Sequence, residues 1–538
     1  MKLSKILPFL LAAFLLPFIA NAQVTSSSIT GVVTSATGEA LDGATIKAIH
    51  TPSGTSYSTI SRSGGNFTIP NMRVGGPYTV EVTFVGYKPQ EYTGINLQLG
   101  EATKLTPTLI GTSQTLVDVT VTTRKNALIS KNLTGPSLSV NRTEMDLLPT
   151  ITRNINDFAR LSPIAQVRSS STDGSPLGIS FGGQSTRYNQ FSIDGANSTD
   201  IFGLSSNGTN GGQAGINPIP FDAISQLQVI LSPYDVSQGG FTGGGMNAVT
   251  RSGTNELHGS AYGYYQDQNL VGKSITNGTK YPKFSNYQYG ARLGGAIVKN
   301  KLFYFVNYEG LSRSQPIANQ PGGPDGISQI DPATAQQLAN FVKQKYNYDV
   351  GAVNGINTTR KSNSVFARLD WNINNKTKLM VRNNYVNGNN YIISDTKSSM
   401  QFGNNGYTFS TITDGIVAEL TSNISSASSN MLRFTYTSIH DKRNVGAPFP
   451  SVTISDNGAT YKLGNDYSSQ ANSLNQNIST LTDNYNIFAG KHTITIGTDN
   501  LIYTTKNVFL QGVNGDYTYR NLDGFYNDTA MTQYQTTY

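Results

Sequence analysis

The 538-residue chain has no cysteine, which excludes disulfides and thiolate-bound metals and fits periplasm and cytosol equally well. Charge is also scarce, at 13% of residues. The net +7 is spread along the chain without a basic cluster, which argues against nucleic acid as a partner. Histidine occurs only four times. His258, His440 and His492 are isolated from one another and from carboxylates at ligand spacing, so no metal site is expected, and His50 reads as a lone surface histidine. Beyond the N-terminus no apolar stretch is long enough for a spanning helix, so any membrane crossing must be made by a β-barrel.

Glycine, asparagine, serine, threonine and tyrosine are abundant, a composition suited to strands and turns. At the N-terminus Lys2 and Lys5 precede an apolar run from Ile6 to Ile19, and Ala20-Asn21-Ala22 supplies a small-x-small signature. Residues 1–22 therefore read as a secretory signal peptide cut between Ala22 and Gln23, with no cysteine there for lipidation.

Residues 255–538 carry the most regular pattern. Between Asn363 and Ile373, Val365, Ala367, Leu369, Trp371 and Ile373 share one face, while Ser364, Arg368, Asp370 and Asn372 share the other. Period two makes this a strand, and Asn374-Asn375 turns it into a second one at Thr377 to Asn387. Three further hairpins follow the same rule: Asn286 to Val298 with Leu302 to Ser312, Thr413 to Ser422 with Met431 to His440, and Leu474 to Phe488 with His492 to Thr504. The connections between hairpins, such as Pro316 to Lys361, Gly388 to Phe409 and Asp441 to Ser473, are long and polar. Short turns on one side and long loops on the other mark an outer-membrane barrel, and the Tyr and Phe clusters near strand ends suit its aromatic girdles. A soluble all-β protein with loops of unequal length is the alternative, and several hairpins alternating in step argue against it.

Residues 25–110 form a separate unit of short strands and turns that reads as a small β-sandwich. Its segments GVVTSATGEALDGATI, GGNFTIPNMRVGGPYTVEVTFVGY and LQLGEATKLTPTLI resemble the carboxypeptidase regulatory-like domain, an appendage without peptidase chemistry. From Ser137 to Thr254 the chain resembles the plug of TonB-dependent receptors, with short helices expected at Thr143 to Leu148 and Asn154 to Leu161. The plug signature is GISFGGQSTRYNQFSIDGANSTD, containing Gly182, Gly183, Asp194 and Gly195, and the run SPYDVSQGGFTGGGMNAVTRSGTNELHGSAY is similar to the Oar-like branch of that family. In the 111–136 linker, the β-prone Val117-Asp118-Val119-Thr120-Val121 then resembles a TonB box, the segment that a periplasmic coupling protein grips by strand addition.

The resemblance implies a mainly β chain: signal peptide, β-sandwich, α+β plug, then the first nine or ten strands of a transmembrane barrel of about 22. It implies an outer-membrane receptor of a Gram-negative cell, with the sandwich in the periplasm. Its partners would be a TonB-type energy-coupling protein, outer-membrane lipid and an unidentified extracellular ligand, with no cofactor, no metal and no enzymatic activity. A surface adhesin or a protein-secretion port of the Oar-like type is the rival. A closed barrel of nine or ten strands could not hold residues 137–254, and an open one would leave unpaired edges in lipid. The strand series is therefore expected to continue beyond Tyr538.

Other motifs lack their context. Gly178-Ile179-Ser180-Phe181-Gly182 matches the G-x-S-x-G nucleophile elbow, but another strand follows where a helix is needed. Gly272-Lys273-Ser274 has Asp267 where a phosphate loop needs its leading glycine. Asp325, Asp331 and Asp349 are loop acids without an EF-type spacing, and the sequons at Asn132, Asn197 and Asn207 are expected from composition alone.

Overall fold

In a computed structural model, the structure describes residues 25–112, 121–122, 137–148, 150, 153–169, 176–231, 239–240, 242–273, 278, 280–323, 327–529 and 531–537. The proposed cleavage site at Ala22 and Gln23, and Val117, Asp118, Val119 and Thr120, lie outside them.

The first unit is a two-sheet sandwich. A sheet of Thr45–His50, Thr55–Ile60, Gly75–Thr83 and Gln90–Leu97 faces one of Ser27–Val32, Asn66–Met72 and Ala102–Leu105. Alternation in Gly75–Thr83 puts Tyr78, Val80 and Val82 inward, where they pack with Ile29, Ile46 and Ile69. The short strand Val121–Thr122 adds in parallel to the sheet's edge, with Val121 opposite Tyr92 and Thr122 opposite Thr93.

The plug follows as a mixed five-stranded sheet in the order Ser137–Asn141, Ile224–Leu231, Gly244–Thr250, Gln190–Ile193, Ala196–Asn197. Helix Arg142–Leu147 starts in a capping box between Asn141 and Glu144. The second expected helix is shorter, Asn156–Ala159, and its Phe158 stacks on Phe221 in the core with ring centroids 5.3 Å apart. The Phe221 segment itself is a single 3₁₀ turn, Phe221–Ala223, leading directly into its strand.

Nine antiparallel strands, each bonded to the next in sequence, make the third unit: His258–Asp267, Ser285–Val298, Leu302–Pro316, Asn357–Asn372, Thr377–Ile392, Tyr407–Ser425, Ser428–Asn444, Ala471–Ala489 and His492–Leu510. Among the described residues the first and ninth strands have one neighbour each, so the sheet is open. Its faces are inverted relative to a soluble protein. In the fourth strand Val365, Leu369 and Trp371 are 44%, 47% and 42% exposed, whereas Ser364, Phe366, Arg368 and Asp370 are buried. An apolar exterior over a polar interior is what a lipid-facing barrel wall requires. Phe305 and Phe366 reach inward to join the plug core.

The long connections differ from the expectation of plain polar loops. Parts of three of them, together with the segment after the ninth strand, assemble a cap: Ser399–Gln401, Ala459–Leu463, Ser451–Asp456, Asp516–Tyr519 and Met531–Gln535 form one sheet, packed by helices Pro332–Tyr346 and Leu522–Tyr526. The first helix presents Ala335, Leu338, Ala339 and Val342, at spacing 3, 4 and 7, to Met400, Ile454 and Leu463. Asp331 caps it by accepting from the Thr334 N–H at 2.9 Å, and Asn347 ends it in the left-handed region with φ 52°.

Candidate functional site: the plug anchor on the barrel wall

The plug hairpin Gln190–Ile193 to Ala196–Asn197 turns through Asp194 and Gly195, whose φ values of 46° and 73° require residues that tolerate the left-handed region. The glycine is needed for a second reason. A Cβ at position 195 would overlap the guanidinium of Arg433, which lies against the turn.

Asp194 is 1% exposed. Its carboxylate accepts from the Thr250 N–H at 2.9 Å and from Thr250 Oγ1 at 2.8 Å, within the plug. From the wall, Arg382 Nε approaches to 3.2 Å and Arg368 Nη1 to 3.6 Å. Arg382 also donates to the Ile193 carbonyl at 2.7 Å, and Arg368 donates to Thr250 Oγ1 at 2.8 Å and the Thr250 carbonyl at 3.2 Å. Asp370 holds Arg368 in place through two bonds, 2.9 and 2.8 Å, and accepts from Ser252 Oγ at 2.5 Å.

Strand register makes this convergence possible. Arg368 lies directly opposite Arg382, and Glu419 directly opposite Arg433, to which it is paired at 3.3 Å. Three buried cations (Arg368, Arg382, Arg433) thus meet three buried anions (Asp194, Asp370, Glu419). Balanced and bonded in this way, charges can sit out of water, whereas removal of one strands its partner. A second anchor joins Arg142 and Arg153 to Asp222 at 2.8 and 2.9 Å, with Arg153 4.4 Å above the ring of Tyr262 in the first barrel strand.

Of the residues the sequence singled out, Asp194 and Gly195 form the centre of this anchor. Gly182 and Gly183 do not join it; they turn the chain after Pro176–Phe181 with φ 56° and 83°. Val121 lies on the sandwich edge. Ser180 is on a strand and donates to the Gln184 carbonyl at 2.8 Å. Asp331 is the helix cap described above, and Asp349 accepts from the Gly351 N–H. His440 bonds Ser438 and Asn475. The surface assignment of His50 is corrected: it is buried, with Nδ1 2.7 Å from Ser53 Oγ and its ring 5.0 Å from that of Tyr78, because it ends an inward-facing strand row. Arg368, Asp370 and Arg382 were visible only as polar positions on alternating strands. The available signal was charge on an interior face in a chain with little charge to place.

Family models match these three units in order. The carboxypeptidase regulatory-like domain matches residues 28–110, the TonB-dependent receptor plug domain residues 130–246, and the outer membrane beta barrel domain residues 249–325 and 319–536. The barrel model spans more than half of the chain, which belongs to the outer membrane β-barrel family and, with plug and wall in one polypeptide, to its TonB-dependent receptors. That family places it in the outer membrane of a Gram-negative cell.

Among relatives, the TonB-dependent transporter Oar of Myxococcus xanthus is 26% identical over 267 residues, covering 47% of this chain and 23% of Oar. The probable TonB-dependent siderophore receptor PirA of Acinetobacter baumannii is 23% identical over 269 residues, covering 46% of this chain and 34% of PirA. The outer-membrane transporter YddB of Escherichia coli shares the fold at 13% identity with a TM-score of 0.51, over 74% of this chain and 51% of YddB. The chain thus spans about a quarter to a third of the two curated relatives it matches, and about half of YddB.

Proposed function

We propose that the protein is a gated port of the outer membrane, taking up an extracellular ligand by mechanical displacement of its plug rather than by covalent chemistry. The observation that carries this is the anchor itself. The plug is tied to the wall by hydrogen bonds and ion pairs around Asp194, with Arg382 and Arg368 supplied from the wall. Such contacts can be exchanged for water when the hairpin moves, so a pull can undo them without melting a strand of the wall.

The ligand would dock at the plug apex and the cap formed by the long connections. Docking would be signalled through the plug to the linker, where a TonB-type partner would grip Val117 to Val121 by adding a strand and Asp118 would set register. The energy would come from the inner-membrane proton gradient through that partner, so no cofactor is required. The sandwich would work on the periplasmic side, where the short turns lie, and the apolar face of the wall would meet lipid.

Deleting Val117 to Val121 tests this. In cells expressing the full-length receptor, accumulation of a ligand recovered by affinity capture should drop to the level of a receptor-free strain, while binding at the cell surface remains. Uptake that survives the deletion contradicts the mechanism.

A further inference from the structure

The regulatory-like sandwich does not hang free of the other two units. It is seated on the short-turn end of the wall and against the plug. Arg62 Nη1 donates to the carbonyls of Ser426, at 3.1 Å, and Phe488, at 2.9 Å, both at short turns of the wall. Asn372 Nδ2 donates to Thr55 Oγ1 at 3.0 Å, the Asn255 N–H donates to the Pro52 carbonyl at 2.9 Å, and Lys378 Nζ lies 4.0 Å over the ring of Tyr57. Toward the plug, Val74 and Leu99 close over Val249, and Gln228 Nε2 donates to the Leu99 carbonyl at 3.0 Å.

One residue of the sandwich enters the charge network. Arg73 Nη2 is 3.4 Å from Asp370 Oδ1, the carboxylate that also holds Arg368 against Thr250 and Asp194. Its backbone is fixed on both sides by buried tyrosines: the Arg73 N–H donates to Tyr57 Oη at 3.2 Å, and Tyr78 Oη donates to the Arg73 carbonyl at 2.6 Å. A second route runs from Thr25 Oγ1, which donates to Glu419 at 2.9 Å, through Arg433 to the Gly195 turn. A cavity of about 580 Å³ lies among the three units, bordered by Arg73, Asp370 and Asp194.

We infer that the sandwich is an intramolecular cap whose docking tightens the plug anchor through Arg73 and Asp370, so that it must lift before the plug leaves the wall. This rests on the gated-port function above, but the coupling is a property of the resting molecule. Asp370 shares its charge between Arg73 and Arg368. With Arg73 withdrawn, Asp370 and Arg368 are freer to reorient, and the grip of Arg368 on Asp194 and Thr250 weakens, because bonds in a buried network support one another. The cavity gives water a place beside these groups as they part.

The test is amide hydrogen exchange on the full-length receptor in lipid nanodiscs, with neither ligand nor coupling protein, so that its failure is separate from any failure of uptake. The reporters are the plug segments 190–197 and 244–250, with 78–82 inside the sandwich as the folding control. Arg73→Ala should speed exchange of both plug segments about tenfold while 78–82 stays protected. For the converse, the chain offers a background without cysteines, and a Cβ at position 54 would lie 2.8 Å from Asn300 Cγ. The pair Gly54→Cys and Asn300→Cys, oxidised, should pin the sandwich and slow plug exchange about threefold relative to the same protein reduced. If Arg73→Ala also loosens 78–82, the pinned pair, which keeps every residue of the anchor, decides by itself. Plug exchange indifferent to pinning overturns the proposal, as does indifference to Arg73→Ala with 78–82 intact.

Discussion

His50 and Asp194 are two polar groups that folding removes from water, and each is stabilised differently. Asp194 is enclosed by two guanidinium groups of the wall and two donors of Thr250. His50 stays neutral. Burial, and then the charge of Arg73, push its pKa down to about 3 from 6.5. The unfolded chain therefore takes up a proton below about pH 6.5 that the folded sandwich refuses until about pH 3. His50 costs no stability above pH 6.5, and the sandwich loses stability as the pH falls through the window between those values. The loss should approach, but not exceed, about 1.4 kcal/mol per pH unit, the limit for one proton. Exchange protection of residues 45–60 in the intact chain should fall accordingly between pH 6.5 and 5, and the fall should be flatter in His50→Gln. Equal pH dependence in the two proteins would show that His50 is not the sensor. In the sequence this histidine looked like an exposed residue, since nothing local marks the inward row that it ends.

At the scale of elements, the wall was the most legible part because a strand repeats every two residues and any error of register exposes the wrong face. Each of the eight strands with expected ends runs past at least one of them, as in Tyr407–Ser425 against Thr413 to Ser422, because the polar residues beyond the apolar core still pair. The IDG turn was legible through the resemblance to receptor plugs, and its positive φ values show why Asp194 and Gly195 suit it. The cap was not. Its core draws Leu338, Phe402 and Ile454 from three separate connections and Phe525 from the segment after the ninth strand, and only the finished wall brings them together. Helix Pro332–Tyr346 did carry its own signals, Asp331 before Pro332 and a 3, 4, 7 spacing of apolar residues, inside a stretch read as loop from its composition. Leu338 is fully buried there, and Leu338→Ala should cost the cap about 3 kcal/mol. Exchange should rise across 332–346 and 451–463 while the wall strands 357–372 and 377–392 keep their protection. A loss of protection in those strands would mean that the cap and wall fold as one unit.

Across the whole molecule, three units that the sequence distinguished by composition, family resemblance and strand alternation are joined by contacts that it could not specify. Arg368 and Arg382 sit fourteen positions apart on adjacent strands, and only pairing register places them across from each other and over the Asp194 turn. Arg73 reaches the same network from a different domain. On the proposed function, the plug is held to the wall chiefly by this anchor and released by tension from its N-terminal side. The direct measurement is single-molecule pulling on the membrane-inserted receptor from an attachment at residue 116, comparing wild type with Asp194→Asn. One plug-release event should precede loss of any wall strand, at a clearly lower force in Asp194→Asn. Equal release forces, or wall strands leaving before the plug, would contradict it.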